Sequence, residues 1–243
     1  MTYRVRALKC GEVLAPGPTI YLLRDYDQSY LLSVYAWLIE GEGRRILLDT
    51  GPGDPTEVNA TRDPSRYWRV EPVADVLQRV GVRPEEIDTV VLSHLHHDHT
   101  GNVALFKEAT IVLAKREWEF VRNPPHPALA PHPLFPKPVI DHLASLENGR
   151  LCLVSSGDSV APGITISVLG AHTPGSLAMS IPTDAGDMIL AGDVIFTYRN
   201  FEEMIPIGTL LNVPEWYAAW QHLREAHATI LPSHDCGLRL KYE

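Results

Sequence analysis

The run Ser93-His94-Leu95-His96-His97-Asp98-His99-Thr100-Gly101 holds histidines and an aspartate at His-x-His-x-Asp-His spacing. At this composition such a run arises by chance in about one chain in a thousand. Imidazole nitrogens and carboxylates are the natural ligands of borderline divalent ions such as zinc. Residues two apart on an extended segment point the same way, so His94 and His96 are placed to share one ion. Asp98 and His99 fall where the chain turns into a helix and can face a second. A solvated polar turn is the alternative, but groups this crowded repel when protonated and leave many lone pairs to satisfy.

One cluster leaves two ions under-coordinated, and further donors follow along the chain. His172 stands in Gly170-Ala-His-Thr-Pro-Gly175, Asp193 in Leu190-Ala-Gly-Asp193, and His234 in Leu231-Pro-Ser-His-Asp235. Each comes directly after an apolar run of strand length. Alone, any of the three is more often an ordinary polar residue. At matching positions after successive strands they read as a set.

The elements that must position these residues are legible as apolar runs. Ile20–Leu23, Ser33–Ile39, Ile46–Asp49, Val90–Ser93 and Ile111–Ala114 read as strands, bounded by Gly, Pro or charge. So do Leu151–Val154, Ile164–Leu169, Ala178–Ile181, Met188–Ala191 and Thr229–Leu231. Val73–Val80 has helical spacing and stops at Gly81, Arg116–Val121 is a second short helix, and Glu215–Ala226 starts behind Pro214. Trp216 and Trp220 on the last helix are expected to pack on a sheet. Asn123–Pro138 differs: seven prolines and two histidines exclude a regular helix or a central strand. It is a binding loop or a plain surface excursion. Two packed sheets with helices outside, in a single domain over 1–243 made of two similar halves, are the expected architecture.

Composition narrows the partners. The net charge is −9 and no run of Lys or Arg occurs, which disfavours nucleic acid. No stretch reaches membrane-span length. Cys10, Cys152 and Cys236 lie far apart, so reduced thiols in a cytoplasm are expected.

Taken in order, His94, His96, Asp98, His99, His172, Asp193 and His234 resemble the metallo-β-lactamase superfamily. Leu47-Leu-Asp-Thr-Gly51 is similar to that family's first loop, where Asp49 would orient a ligating histidine. The resemblance implies an αββα sandwich with the site at one edge of the sheets. It implies that His94, His96 and His172 hold one metal, that Asp98, His99 and His234 hold the other, and that Asp193 bridges them. Zinc is the default ion, although His/Asp sites also accept iron, manganese or cobalt. A cysteine at 193 would mark the main zinc β-lactamases and a glutamate at 96 the flavodiiron proteins; this chain has neither. The ending Pro232-Ser-His-Asp235 and the segment Tyr35–Ile39 look most like the acyl-homoserine-lactone lactonases and pyridoxolactonase-type enzymes. A homodimer is implied by the resemblance alone.

The expected reaction is hydrolysis of a small-molecule lactone or ester by a hydroxide shared between two ions. Asp98 and Asp193 are the expected catalytic residues, Asp98 also carrying a proton to the leaving group. N-acyl homoserine lactones, and hence quorum quenching, are the narrowest form of this reading. Phosphoester or phosphotriester hydrolysis is the alternative; it needs basic residues, and Arg199 is the main one nearby. A metal-binding module without activity would lack a ligand, and none is missing. Asp49 and Asp235 are candidates to accept ring N–H groups, while His97 is expected to point away. Tyr30, Trp37, Phe135 and Phe196 form an apolar pocket or are core residues, and His126 and His132 are expected in solvent. Two positions depart from the lactonase pattern: Phe196 where some of those enzymes have tyrosine, and Ser176 where the His-Thr-Pro-Gly turn usually ends in histidine.

Overall fold

The computed structural model describes residues 2–54, 68–132, 134–146 and 149–238. Its strands are β1 (Arg4–Pro16), β2 (Ser29–Gly41), β3 (Arg44–Leu48), β4 (Trp68–Val70), β5 (Thr89–Leu92), β6 (Thr110–Ala114), β7 (Leu151–Val154), β8 (Ser159–Ala161), β9 (Ile164–Val168), β10 (Leu177–Thr183), β11 (Gly186–Leu190) and β12 (Thr229–Leu231). The α-helices are α1 (Gly17–Ile20), α2 (Val73–Arg79), α3 (His97–Thr100), α4 (Lys115–Arg122), α5 (Lys137–Ser145), α6 (Tyr198–Glu202) and α7 (Val213–Glu225).

Among the described residues the strands form two mixed sheets, ordered β4-β1-β2-β3-β5-β6-β7 and β12-β11-β10-β9-β8. Side chains alternate across each strand, so every central strand feeds two layers. Tyr35, Trp37 and Ile39 of β2, Val91 of β5 and Val112 of β6 meet Ile166, Met179 and Leu190 of the second sheet. The intervening residues Ala36, Leu38, Val90, Leu92 and Ile111 face outward against α2, α4 and α5. On the far side Ala178, Ile189 and Ile230 meet Trp216, Ala219 and Leu223 of α7. Burial on both faces explains why β5 reads as an unbroken apolar run. The result is the expected αββα sandwich.

Strand direction collects the candidate residues at one edge. β3, β5 and β6 are mutually parallel, as are β11 and β12. β9 pairs antiparallel with β10, and β10 antiparallel with β11, so β9 runs with β11. The C-terminal ends of β3, β5, β9, β11 and β12 therefore deliver Asp49, His94, His172, Asp193 and His234.

Two expectations need correction. Ile20–Leu23 is not a strand: α1 ends at Ile20, and Leu23 takes a left-handed φ of 56°. Pro18 starts that helical turn, and Ile20 is drawn into the core beneath it. Secondly, the expected strand Ser33–Ile39 is the middle of the longer β2, and its hairpin partner β1 is a strand the sequence did not announce. β1 pairs with β2 along its length, but a register shift between Lys9 and Gly11 breaks its alternation. The proline-rich segment is irregular up to Pro136, with one short 3-10 turn at Pro127–Leu129; its last two residues open α5, where Pro138 costs no hydrogen bond. Pro133 lies outside the described residues.

Candidate metal centre

His94 and His96 leave β5 on an extended segment, and α3 then carries Asp98 and His99. α3 is brought against the Asp49 loop because Gly101 has no side chain: a Cβ there would stand 2.0 Å from the Gly53 nitrogen. His172 is aimed by a turn in which Gly170 and Ala171 both take left-handed φ, 68° and 69°. Glu215 holds that strained turn by accepting the Ala171 N–H at 3.0 Å. Asp193 sits in the 3-10 turn Gly192–Val194 after β11.

The structure brings all seven candidate residues into one cluster. His94, His96 and His172 offer ligand atoms within 4.8 Å of one another, as do His94, His99 and Asp193, and Asp98, His99 and His234. Asp193 stands between the groups. Its Oδ1 lies 3.1 Å from His234 Nε2 and 3.3 Å from His99 Nε2. Its Oδ2 lies 3.4 Å from His172 Nε2 and 3.7 Å from His94 Nε2. All but Asp98 are buried; Asp98 is partly open to solvent.

Hydrogen bonds set the imidazole tautomers. His99 donates its Nδ1–H to Asp49 Oδ2 at 2.8 Å. His234 donates Nδ1–H to the Ser33 carbonyl at 2.8 Å, and His172 to the Thr209 carbonyl at 2.6 Å. Ser93 Oγ gives its proton to Asp49 and so accepts from His94 Nδ1 at 3.1 Å. Each of these rings thereby turns its Nε2 toward the cluster. His96 is the reverse case, its Nδ1 facing His172 Nε2 at 2.9 Å.

Burial, reinforced by the neighbouring imidazoles, holds His94 and His96 well below the usual histidine pKa, and burial lowers His172. Burial also opposes charge on His99 and His234, but carboxylates, Asp193 foremost, outweigh it and raise both. Asp193 is held well below the carboxylate range by His99, His234 and His94 despite its burial. Three buried atoms, His94 Nε2, His99 Nε2 and Asp193 Oδ1, have no hydrogen-bond partner. Such orphans are costly unless something is meant to meet them. Five imidazoles and two carboxylates converging on one space, with His94, His96 and His172 held neutral by burial, fit bound divalent cations that displace the protons of His99 and His234.

Comparison with known proteins agrees with this geometry. The model of the metallo-beta-lactamase superfamily matches residues 29–234. The chain belongs to that superfamily. Among its relatives is the N-acyl homoserine lactonase AiiA of Bacillus thuringiensis subsp. kurstaki, 25% identical over 72% of this chain and 69% of that protein. Another, the N-acyl homoserine lactonase AttM of Rhizobium radiobacter, is 24% identical over 96% of this chain and 93% of its own. The fold superposes on an N-acyl homoserine lactone hydrolase with N-hexanoyl-L-homoserine at its catalytic metal center, with a TM-score of 0.82, 22% identity, and coverage of 97% and 95% of the two chains. It also matches the dizinc quorum-quenching lactonase AidC at a TM-score of 0.76, 19% identity, and 97% and 89% coverage. Superfamily membership and the His/Asp cluster together support a metal-dependent hydrolase.

Beside the cluster lies a cavity of about 340 Å³. Val13, Leu32, Leu129, Leu134 and Leu210 give it apolar walls, while His96, Asp98, His172, Asp193 and His234 form its polar end. Of the four aromatic candidates, Phe135 and Phe196 line it. Trp37 belongs to the core between the sheets, and Tyr30 bonds to Asp25 and Gln28 instead. The Phe196 ring stands edge-on to His234 and His172, with centroids 5.0 and 5.7 Å away. His97 joins none of the ligand groups but does line the cavity. His126 caps the turn at Pro127–Leu129 by accepting the Ala128 N–H. Asp235 does not reach a ligand histidine: it accepts the N–H groups of Tyr198 and Gly237. Ser176 closes the His172 turn, accepting the Thr173 N–H at 3.0 Å.

Sequence reasoning missed Glu117, a fully buried carboxylate on α4. A signal was present: three and four residues on stand Phe120 and Val121, so an acid occupies the apolar stripe of that helix.

Proposed function

We propose that this chain opens lactones by metal-dependent hydrolysis, with N-acyl homoserine lactones as the leading substrates and simple esters next. In this reading His94, His96 and His172 hold one divalent ion, Asp98, His99 and His234 the second, and Asp193 spans both. The observation that carries it is the position of the Asp193 carboxylate between the two histidine groups, within 3.1 Å of His234 and 3.4 Å of His172, at the polar end of an apolar cavity. Bound ions, zinc first among them, supply Lewis acidity for a carbonyl and lower the pKa of water.

The protein's own contribution is placement. Asp49, Ser33 and Thr209 fix the rings of His99, His234 and His172 before any ion arrives. The cavity walls exclude water from the reacting carbonyl and seat an acyl chain or ring. Asp98, partly open at the cavity floor, is ionised, since His97 and His99 outweigh its burial. Its carboxylate is placed to take a proton and return it to the leaving alkoxide. Phe196 brings no hydroxyl, so the substrate carbonyl depends on the metal end of the cavity.

Phosphoester hydrolysis is the weaker reading, because no Lys or Arg among the described residues lines the cavity. Arg199 is turned to Asp25 and lies over the Tyr21 ring. The three unpaired cysteines fit a cytoplasmic setting, and among the described residues no helix is long and apolar enough to cross a membrane.

The test is proton release by metal-replete protein on acyl-homoserine lactones, plain γ- and δ-lactones and an aromatic lactone, with a chelated control. Chelator-sensitive ring opening supports the assignment. No turnover on any of them removes it and leaves phosphoesters and amides as the next substrates to test.

A further inference from the structure

The geometry points to Glu117 as a positioning residue that clamps together the two loops of the His94–His96–His172 group and so sets the metal affinity of that group alone. Its carboxylate is buried, with no exposure to solvent. Oε1 accepts the Leu95 N–H at 3.0 Å, and Oε2 accepts the Gly175 N–H at 2.9 Å. Leu95 lies between His94 and His96, and Gly175 closes the turn that presents His172. A single side chain thus ties the loop after β5 to the loop after β9.

The contact is built closely. A Cβ on Gly175 would stand 2.3 Å from both the Cβ and the backbone nitrogen of Glu117, so only glycine lets the turn approach. The next residue back, Arg116, pairs with Glu215, which holds Ala171 of the same turn. Among the described residues the loops also meet through the Leu177 N–H to Ser93 carbonyl bond and through the ring contact of His96 Nδ1 with His172 Nε2, but Glu117 is the side chain that ties their backbones together. His96 needs it most, because among the described residues its Nδ1 meets the Nε2 of His172 and no backbone or carboxylate acceptor holds that ring.

The Asp98–His99–His234 group is held by other means. Asp49 fixes His99, and Ser33 fixes His234 through both its N–H and its carbonyl. Glu117 touches none of them. The two buried carboxylates therefore act differently: Asp49 holds His99 directly and reaches His94 through Ser93, whereas Glu117 serves the His94–His96–His172 loops alone. Replacing Glu117 by Gln keeps its volume but turns an amide NH2 against one of the two backbone N–H donors, so one loop must give.

The inference rests on the two-ion reading above. Its test is metal content after dialysis of loaded protein against graded free-zinc buffers, for wild type, Glu117→Gln and Gly175→Ala. The second variant pushes the turn off the carboxylate without removing it. In both variants one ion should leave at about 10–100-fold higher free zinc than in wild type, while the other stays within threefold. Thermal unfolding of the chelated proteins identifies a variant that has failed to fold, and the other then decides. Parallel loss of both ions, or wild-type retention of both, overturns the role of Glu117. A wild type that binds fewer than two ions overturns the two-ion reading and this assignment with it.

Discussion

Asp49 accepts the ring N–H of His99 at 2.8 Å across 50 residues of sequence, and its other oxygen accepts the Ser93 N–H at 2.7 Å. One carboxylate thus fixes both the tautomer of a candidate ligand and the point where the histidine loop leaves β5. Asp49 has a left-handed φ of 62°, which asparagine also tolerates. Asp49→Asn keeps the backbone, removes the negative charge and replaces one of the two accepting oxygens with an NH2 donor, so the Ser93 and His99 bonds cannot all be kept. The ion of the Asp98–His99–His234 group should bind about 10–100-fold more weakly, measured by competition with a chromogenic chelator. Unchanged affinity would show that Asp49 only shapes its loop.

Asp193 is the candidate whose carboxylate lies between the two histidine groups, in reach of His99 and His234 on one side and of His172 and His94 on the other. Asp193→Ala should abolish hydrolysis and lower bound metal in the same preparation. Metal analysis beside a lactone assay checks both at once. Full activity in the variant would sink the two-ion model.

Four of the seven candidates follow β5, which is buried on both faces and reads as an unbroken apolar run; the other three follow β9, β11 and β12, whose buried residues still stand out as short apolar runs. Their meeting depends on strand direction, which parallel pairing of β3 with β5 and of β11 with β12 supplies. What stayed hidden were long-range polar contacts. Glu117 is separated from Gly175 by 58 residues, and no local pattern tells which backbone N–H a buried acid will accept. β1 stayed hidden because its bulge shifts the phase of alternation midway, and α5 because its prolines mask a helix start. Ile20–Leu23 has the composition of a strand, but the tertiary structure needs a turn there to bring Leu22 N–H to the Pro206 carbonyl.

The apolar walls predict a chain-length dependence. Each methylene seated against Leu129, Leu134 or Phe135 contributes about 0.8 kcal/mol, close to fourfold in kcat/KM. Among acyl-homoserine lactones kcat/KM should rise with acyl length until the cavity is filled. Leu134 is 38% exposed, so Leu134→Asp should leave the fold intact and flatten that rise, with little effect on an unsubstituted γ-lactone. Equal losses on long and short substrates would mean that the chain does not lie along this wall.

Protons and cations compete for the same atoms in this cluster. Asp193 raises the pKa of His99 and His234 against the effect of their burial, so both rings hold protons readily in the metal-free protein. A ligating imidazole must be neutral. Binding must therefore expel protons from these two rings, whereas His94, His96 and His172 are already neutral because burial lowers their pKa. The sign follows: affinity for the ion of the Asp98–His99–His234 group should fall as pH is lowered, and more steeply than for the His94–His96–His172 group. Stepwise zinc titrations in weakly buffered solution, between about pH 6 and 8, should show one ion releasing more protons than the other. Equal, small proton release for both ions would mean that His99 and His234 are not protonated in the metal-free protein, and the charge balance assigned to Asp193 would be wrong.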